Sequence, residues 1–357
     1  MSNGDHSQRA NVLGLGLIGG SVALALQKAG FIVHGDDADH RRVDTALERG
    51  IINEHGLARN AVISIAATPV LTLADTVQRL LSETTGFVTD VGSVKGDVAR
   101  HVVNPRFVPG HPMAGSELDG LDGADPTMFE GAVWVLTPTP ASSDDAFSMI
   151  ATLIAGFGSE VVALDPERHD DFVALISHVP HLTAATLMGL ADERSEEHLA
   201  LLRLAAGGFR DMTRIASGRP DIWLDICRQN NDAIVRTLDR FINELSTMRD
   251  IVKNNDSDQL QQRLERARRA RMNLPSRAGQ VEDLAEVRIP IPDRPGSAAQ
   301  IFTLSGELGV NIYDFEVVHS AEGDSGVIVV VIGVAHVELF RGGLMARGFK
   351  PAVSRFA

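Results

Sequence analysis

Ser93, His111 and Glu117 stand in polar stretches that directly follow apolar, strand-like runs at residues 86–90 and 106–109. A histidine fixed at a strand end suits removal of a hydroxyl proton while hydride leaves the same carbon, because the unperturbed imidazole pKa lies close to neutrality. Glu117 lies just past it, where a carboxylate could orient or charge-stabilise the site. The bland alternatives are a histidine that merely caps a loop and a carboxylate that is merely solvated.

The hydride acceptor such chemistry needs has its own signature. Asn11-Val-Leu-Gly14-Leu-Gly16-Leu17-Ile18-Gly19-Gly-Ser21 joins an apolar run to a helix-favouring stretch. In this GxGxxG pattern Gly14 permits a tight turn, Gly16 lets a pyrophosphate approach bare backbone, and Gly19 lets helix and strand pack closely. The helix start, at Leu17 and Ile18, supplies N–H donors and a partial positive charge. A second strand-like run, 31–34, ends at Gly35-Asp36, where an acidic side chain accepts hydrogen bonds from ribose hydroxyls and repels a 2′-phosphate. Asp36 therefore favours NAD, while Arg41 and Arg42 leave NADP open. The run 61–66 ends in Ala67-Thr68, which puts Thr68 at the strand edge where dinucleotides bind.

Further along, Ser177-His178-Val-Pro180-His181 lies in a helical pattern that Pro180 must locally distort. Ser177 and His181 are four apart and share a face, while His178 reaches either the same crevice or a buried structural contact. In Gly207-Gly-Phe-Arg-Asp-Met-Thr-Arg214-Ile, paired glycines interrupt the helix. Arg214 offers a fork of donors to a substrate carboxylate, against the alternative of a solvated surface arginine.

These residues need elements to hold them. From residue 10 to 165, seven apolar runs (11–15, 31–34, 61–66, 86–90, 106–109, 132–137 and 160–164) alternate with helical patterns, as in a mostly parallel sheet covered on both faces. The spacing predicts a Rossmann-type α/β domain. Residues 166–274 read as an all-helical dimerisation domain whose clearest element is one long buried helix through Trp223, Ile226, Asn230, Ile234, Leu238, Phe241, Leu245 and Met248. Long helices with wide apolar faces often pack against a partner subunit, so a homodimer is expected. After a linker at 275–284, strands at 286–291, 311–319 and 326–333 and a helix at 297–308 predict a C-terminal α+β module over 285–357. Residues 1–9 form a polar tail.

Composition narrows the function classes. Thirty-three Lys and Arg against 47 Asp and Glu leave a formal charge of −14, which repels nucleic acid and anionic membranes and favours a small-molecule partner. The arginines at 263, 266, 268, 269 and 271 read as a solvated helix face, with Glu265 paired to Arg269. One cysteine, Cys227, makes neither an intrachain disulfide nor a Cys/His metal cluster. No apolar leader and no run of about 18 apolar residues is evident, so no membrane span and a cytoplasmic location are expected.

Five segments together resemble the prephenate/arogenate dehydrogenases of tyrosine biosynthesis: the glycine-rich turn Gly14–21, Thr89-Asp-Val-Gly-Ser93-Val-Lys95, His111-Pro-Met-Ala-Gly-Ser-Glu117, Ser177-His-Val-Pro-His181 and Gly207–216. The likeness covers residues 10 to about 272. It implies that His111 accepts the proton of the substrate's ring 4-hydroxyl, with Ser93 hydrogen-bonding at the same place. It further implies that Arg214 holds a carboxylate, that Ser177 and His181 line the pocket, and that Glu117 gates or polarises it. Hydride would pass from ring carbon 4 to NAD, and the ring carboxylate would leave as carbon dioxide, with no metal. The substrate would be prephenate, giving 4-hydroxyphenylpyruvate, or arogenate, giving tyrosine.

The C-terminal module resembles an ACT domain through Ile289-Pro-Ile-Pro-Asp-Arg-Pro295-Gly296-Ser and Gly309-Val-Asn311-Ile312. That likeness implies an aromatic amino-acid effector at Pro295, Gly296, Asn311 and Ile312, or a ligand-free dimerisation module. Two other function classes compete: a β-hydroxyacid dehydrogenase with Lys95 as its acid/base, and a nonenzymatic sensor of NAD and an amino acid.

Overall fold

The structure is a computed structural model. It describes residues 8–115, 118–195, 204–273, 284–292, 294, 296–319 and 325–355. Glu117, Pro295, most of the 1–9 tail and most of the 275–284 linker lie outside the described residues. The chain forms two compact units, Met1–Asn243 and Glu244–Ala357.

In the first unit the chain runs β1 (Arg9–Leu13), α1 (Leu17–Lys28), β2 (Ile32–Asp36), α2 (His40–Glu48), β3 (Glu54–His55), β4 (Ile63–Ala66), α3 (Leu73–Glu83), β5 (Phe87–Asp90), α4 (Gly96–His101) and β6 (Phe107–Val108). These six strands form one parallel sheet in the order β3-β2-β1-β4-β5-β6, the doubly wound arrangement that the alternating pattern predicts. Val12, Val33, Ile63 and Ile65 are almost completely buried together with Val22 and Leu26 of α1. Burial on both faces explains why the strands read as continuous apolar runs.

The runs at 132–137 and 160–164 do not extend this sheet. They become β8 (Val133–Leu136) and β9 (Glu160–Ala163), flanking α5 (Asp144–Gly156), and they build a separate three-stranded sheet with β7 (Gly110–Pro112). β7 runs antiparallel to β8, with His111 opposite Val135. The physical cause is Pro109, which has no N–H to continue β6; its carbonyl instead accepts from the Thr137 N–H at 2.8 Å. His111 therefore belongs to the first strand of a second sheet, not to the end of a parallel strand.

The helical segment begins with α6 (Pro166–Val173), capped by the Asp165 carboxylate, then a π-helical turn at Ala174–His178 and α7 (Val179–Ser195). Pro180 crowds the carbonyl four residues back, at Ile176, and the widened turn absorbs that clash. The stretch Pro166–Glu193 is long and apolar enough to cross a membrane by length and composition, yet its buried His169, Asp170 and His178 are tied to His111, the β5–α4 loop and Asn230. α8 (Gly207–Thr213) starts at the paired glycines, so they open a helix here. The long buried helix expected around residues 223–248 is two helices, α9 (Pro220–Gln229) and α10 (Asn231–Lys253), and much of its apolar surface is exposed at Ile222, Leu224, Val235 and Ile242. The break falls at Asn230, whose buried amide donates to the Asp170 carbonyl at 2.8 Å.

The second unit contains α11 (Ser257–Met272), β10 (Leu284–Pro292), α12 (Ser297–Glu307), β11 (Ile312–His319), β12 (Ser325–Gly333), α13 (Val337–Ala346) and β13 (Ala352–Arg355). An antiparallel sheet of order β11-β12-β10-β13 buries Val287, Ile289, Ile328, Val330 and Ile332 with Phe340 and Leu344. On β10, Arg288, Pro290 and Pro292 alternate outward, as in a sheet covered on one face. The closing pair α13 and β13 adds to the three strands and one helix expected from sequence. Gly296 caps α12 with φ +89°, a conformation that favours glycine, while Asn311 is exposed and Ile312 opens β11.

Candidate active site

The turn between β1 and α1 is built on glycine. Gly14 has φ +102°, and a Cβ there would lie 2.5 Å from the Ala67 carbonyl oxygen; a Cβ on Gly19 would lie 1.9 Å from that of Gly14. A Cβ on Gly16 would instead project into open space. Gly16 is also the N-cap of α1 and gives its first turn no side-chain acceptor. Bare backbone, open space and uncapped N–H groups at Leu17 and Ile18 are the features that receive a pyrophosphate. Thr68 lies against Gly14 at the end of β4, with its hydroxyl 2.9 Å from that of Thr76. The residues present fit a dinucleotide.

The acidic residue whose carboxylate meets this turn is Asp37, the neighbour of the Asp36 expected from sequence. Oδ2 of Asp37 accepts from the Leu15 N–H at 2.7 Å, and Oδ1 accepts from Asp39 N at 2.8 Å. Asp36, the last residue of β2, directs its carboxylate to Arg79 at 3.4 Å and His55 at 3.5 Å. Successive residues of an extended chain point to opposite sides, so a one-residue difference separates the two roles. Arg42 approaches Asp37 at 3.7 Å and is half-exposed; Arg41 pairs with Asp39.

Behind the expected reaction centre lies a buried ionic cluster. Asp90, at the end of β5, accepts from Gly92 N at 2.9 Å and Gly110 N at 3.1 Å and pairs with Lys95. Nζ of Lys95 also donates to the Gly110 carbonyl at 2.8 Å, and the side chain has no exposed surface. Desolvation pushes the Lys95 ammonium below the usual lysine range, against the opposing pull of Asp90. Lys95 is thereby occupied in tying the β5–α4 loop, which carries the half-buried Ser93, to the strand of His111.

His111 Nδ1 lies 2.9 Å from Nε2 of His169, and His169 Nδ1 lies 2.8 Å from Oδ1 of Asp170. The two rings meet edge to face, 5.1 Å apart at 75°. His111 keeps some exposed surface but is enclosed enough that desolvation, followed by the charges of His169, Lys95 and His178, holds its pKa well below the ordinary histidine value. These surroundings favour the uncharged imidazole. His169 and Asp170 escape a reading of the sequence because Pro-Glu-Arg-His-Asp-Asp looks like an exposed helix start.

On the helical side, His181 is buried and stacks on Trp223, centroids 3.6 Å apart and 12° from parallel. Ser177 is half-buried one turn before it. His178 takes the structural alternative: it is 1% exposed, with Nδ1 accepting from the Asn230 amide at 3.2 Å. Arg214 is exposed and begins the short helix Arg214–Ser217, next to Gly218, where a Cβ would lie 3.1 Å from His181 Cε1. The fold thus brings the Arg214 turn beside His181.

A doubly wound sheet with a glycine turn fit for a dinucleotide, joined to a helical segment whose His169 meets His111, has the layout of a nucleotide-dependent dehydrogenase. Residues 22–163 match the nucleotide-binding domain of prephenate dehydrogenase, and residues 165–266 match the prephenate dehydrogenase dimerisation domain. A prephenate dehydrogenase of Bacillus subtilis is 34% identical over 331 residues, covering 88% of this chain and 89% of the relative. The crystal structure of prephenate dehydrogenase from Aquifex aeolicus, in complex with hydroxyphenyl propionate and NAD+, shares 27% identity at a TM-score of 0.71 and covers 76% of this chain and 100% of that one. Synechocystis arogenate dehydrogenase shares 28% identity at a TM-score of 0.66, covering 74% and 99%. This chain belongs to the prephenate dehydrogenase family and is an oxidoreductase.

Proposed function

We propose that the protein is an NAD-dependent prephenate dehydrogenase that converts prephenate to 4-hydroxyphenylpyruvate with loss of carbon dioxide, in tyrosine biosynthesis. The observation that carries this is the His111 imidazole, held from behind by His169, in a chain of this family. Bound NAD supplies the hydride acceptor. Nε2 of His111 takes the proton of the ring 4-hydroxyl, and Ser93 hydrogen-bonds the same oxygen. Arg214 holds a substrate carboxylate, Ser177 and His181 line the pocket, and Glu117 polarises it. Gly14, Gly16, Leu17, Ile18, Gly19 and Thr68 hold the dinucleotide, with Asp37 in the ribose role. Loss of the carboxylate makes the ring aromatic, so the protein chiefly supplies orientation and a base.

Residues 10–165 form the dinucleotide-binding domain, 166–274 the substrate and dimerisation domain, and 285–357 an ACT-like regulatory module. The exposed apolar residues of α9 and α10 support a homodimer. The βαββαβ order of the second unit supports the ACT-like assignment, with tyrosine or phenylalanine as effector. The enzyme works as a soluble protein of the cytoplasm.

The test follows NADH absorbance with prephenate and arogenate separately, each with NAD and NADP. Turnover is expected with prephenate and NAD; preference for arogenate would assign the chemistry of the Synechocystis relative. Calorimetric titration of tyrosine and phenylalanine, with no heat and no change in rate, would reduce the C-terminal module to a structural role.

A further inference from the structure

His111 and His169 share one proton between facing nitrogens. The carboxylate of Asp170 can only accept, so His169 donates to it from Nδ1 and, when neutral, presents a lone pair at Nε2. The shared proton then belongs to Nδ1 of His111. Nε2 of His111 is left unprotonated; no described residue hydrogen-bonds it, and it is not among the sealed polar atoms of the interior. Asp170 is itself fixed: Oδ1 accepts from Lys95 N at 2.8 Å, Oδ2 from Gly96 N at 2.7 Å, and its carbonyl from Asn230. His169 is 1% exposed, so water does not compete for its ring.

We propose that His169 and Asp170 are positioning residues of the dehydrogenation, fixing His111 in the tautomer whose Nε2 carries the lone pair and receiving the charge when that nitrogen is protonated. This rests on His111 being the base, as proposed above. As the hydroxyl proton bonds to Nε2 of His111, the Nδ1 proton passes to Nε2 of His169, and the positive charge settles beside Asp170. The ring C4–H pair leaves as hydride. The pair of the ring–carboxylate bond enters the ring as carbon dioxide departs, and the phenolate oxygen takes a proton back along the same path. Among the described residues, the charged and titratable groups acting on His111 are His169, Lys95 and His178, with Asp90 paired to Lys95. A cationic Lys95 opposes charge on His111, and the Asp170 carboxylate, 2.8 Å from His169 Nδ1, lies where the relayed charge arrives.

The full chain, labelled with 15N-histidine, reads the tautomer directly, with the His111 signals assigned by their loss in His111→Asn. In the unaltered protein at neutral pH, Nδ1 of His111 should be protonated and Nε2 bare. His169→Phe should shift the proton to Nε2 and lower kcat about 100-fold, with KM within about threefold, as expected for a misplaced general base. His169→Gln, whose amide oxygen replaces the lost acceptor, should restore the tautomer and most of kcat. A proton on Nε2 of His111 in the unaltered protein overturns the proposal, and so does undiminished kcat in a folded His169→Phe. If His169→Phe does not fold, the spectrum of the unaltered protein decides alone. A chain that shows the expected tautomer but turns over neither prephenate nor arogenate would instead sink the proposed function.

Discussion

Lys95 has no exposed surface; its Nζ pairs with Asp90 and lies 2.8 Å from the carbonyl oxygen of Gly110, the residue before His111. An ammonium so occupied anchors the strand of the base and is unsuited to being the acid/base itself. Lys95→Met should therefore act on stability, because it strands the Asp90 carboxylate in the interior; breaking a buried pair from one side costs about 3–5 kcal/mol. Urea unfolding should show that loss. Activity per folded molecule should fall far less than in His111→Asn, for which a drop of about 10²–10⁴ in kcat is expected from removal of a general base. A fully folded Lys95→Met as inactive as His111→Asn would restore the β-hydroxyacid dehydrogenase alternative.

Asp37 meets the glycine turn through the Leu15 N–H, while Asp36 is engaged by Arg79 and His55. Asp37→Ala should raise KM for NAD about 10–100-fold, the worth of a hydrogen bond to a charged group, and narrow the preference for NAD over NADP. Asp36→Ala should leave both nearly unchanged. Initial rates across cofactor concentration separate the two variants; a large effect at Asp36 with none at Asp37 would return the ribose role to the former.

Local signals were legible and non-local pairings were not. The glycine turn, five of the six parallel strands and Pro180's distortion each follow from a few neighbouring residues, whereas β3, two exposed residues long, leaves no apolar run to read. The neighbouring acids Asp36 and Asp37 could not be told apart, because nothing in the sequence fixes which strand residue faces the turn. The pairing of β7 with β8 depends on partners far along the chain. The break at Asn230 is hidden because apolar spacing continues through it, and only the inward amide contact to Asp170 reveals its purpose. His169 was illegible for the same reason: its meaning depends on His111, 58 positions away.

Arg214 starts the short helix that runs into Gly218, and Gly218 lies against His181. A guanidinium beside the His181 pocket is the proposed partner of a substrate carboxylate. Arg214→Gln should raise KM for prephenate about 10–100-fold, since a charged contact contributes about 1.5–3 kcal/mol. kcat should change much less, because the contact is made equally in the ground and transition states. Steady-state kinetics with unchanged KM would remove Arg214 from substrate binding.

His178 gives the fold a pH dependence separate from catalysis. Its Nδ1 accepts from Asn230, and burial lowers its pKa to about 4, with Asp170 opposing and His169 adding to the shift. In the unfolded chain the same ring titrates near 6.5. Below that pH the unfolded state binds a proton that the folded state refuses until about pH 4, so stability falls as pH drops from about 6.5 to about 4 and levels off below. The ring's share is on the order of 3 kcal/mol, from the spacing of the two values. His111 and His181 shift in the same direction and contribute their own parts. His178→Phe, which keeps an aromatic edge against Trp223, should therefore lose less stability on acidification than the unaltered chain. Urea midpoints at about pH 7.5 and about pH 4.5 measure the difference; an equally steep loss in both proteins would show that this ring is not the acid-sensitive element.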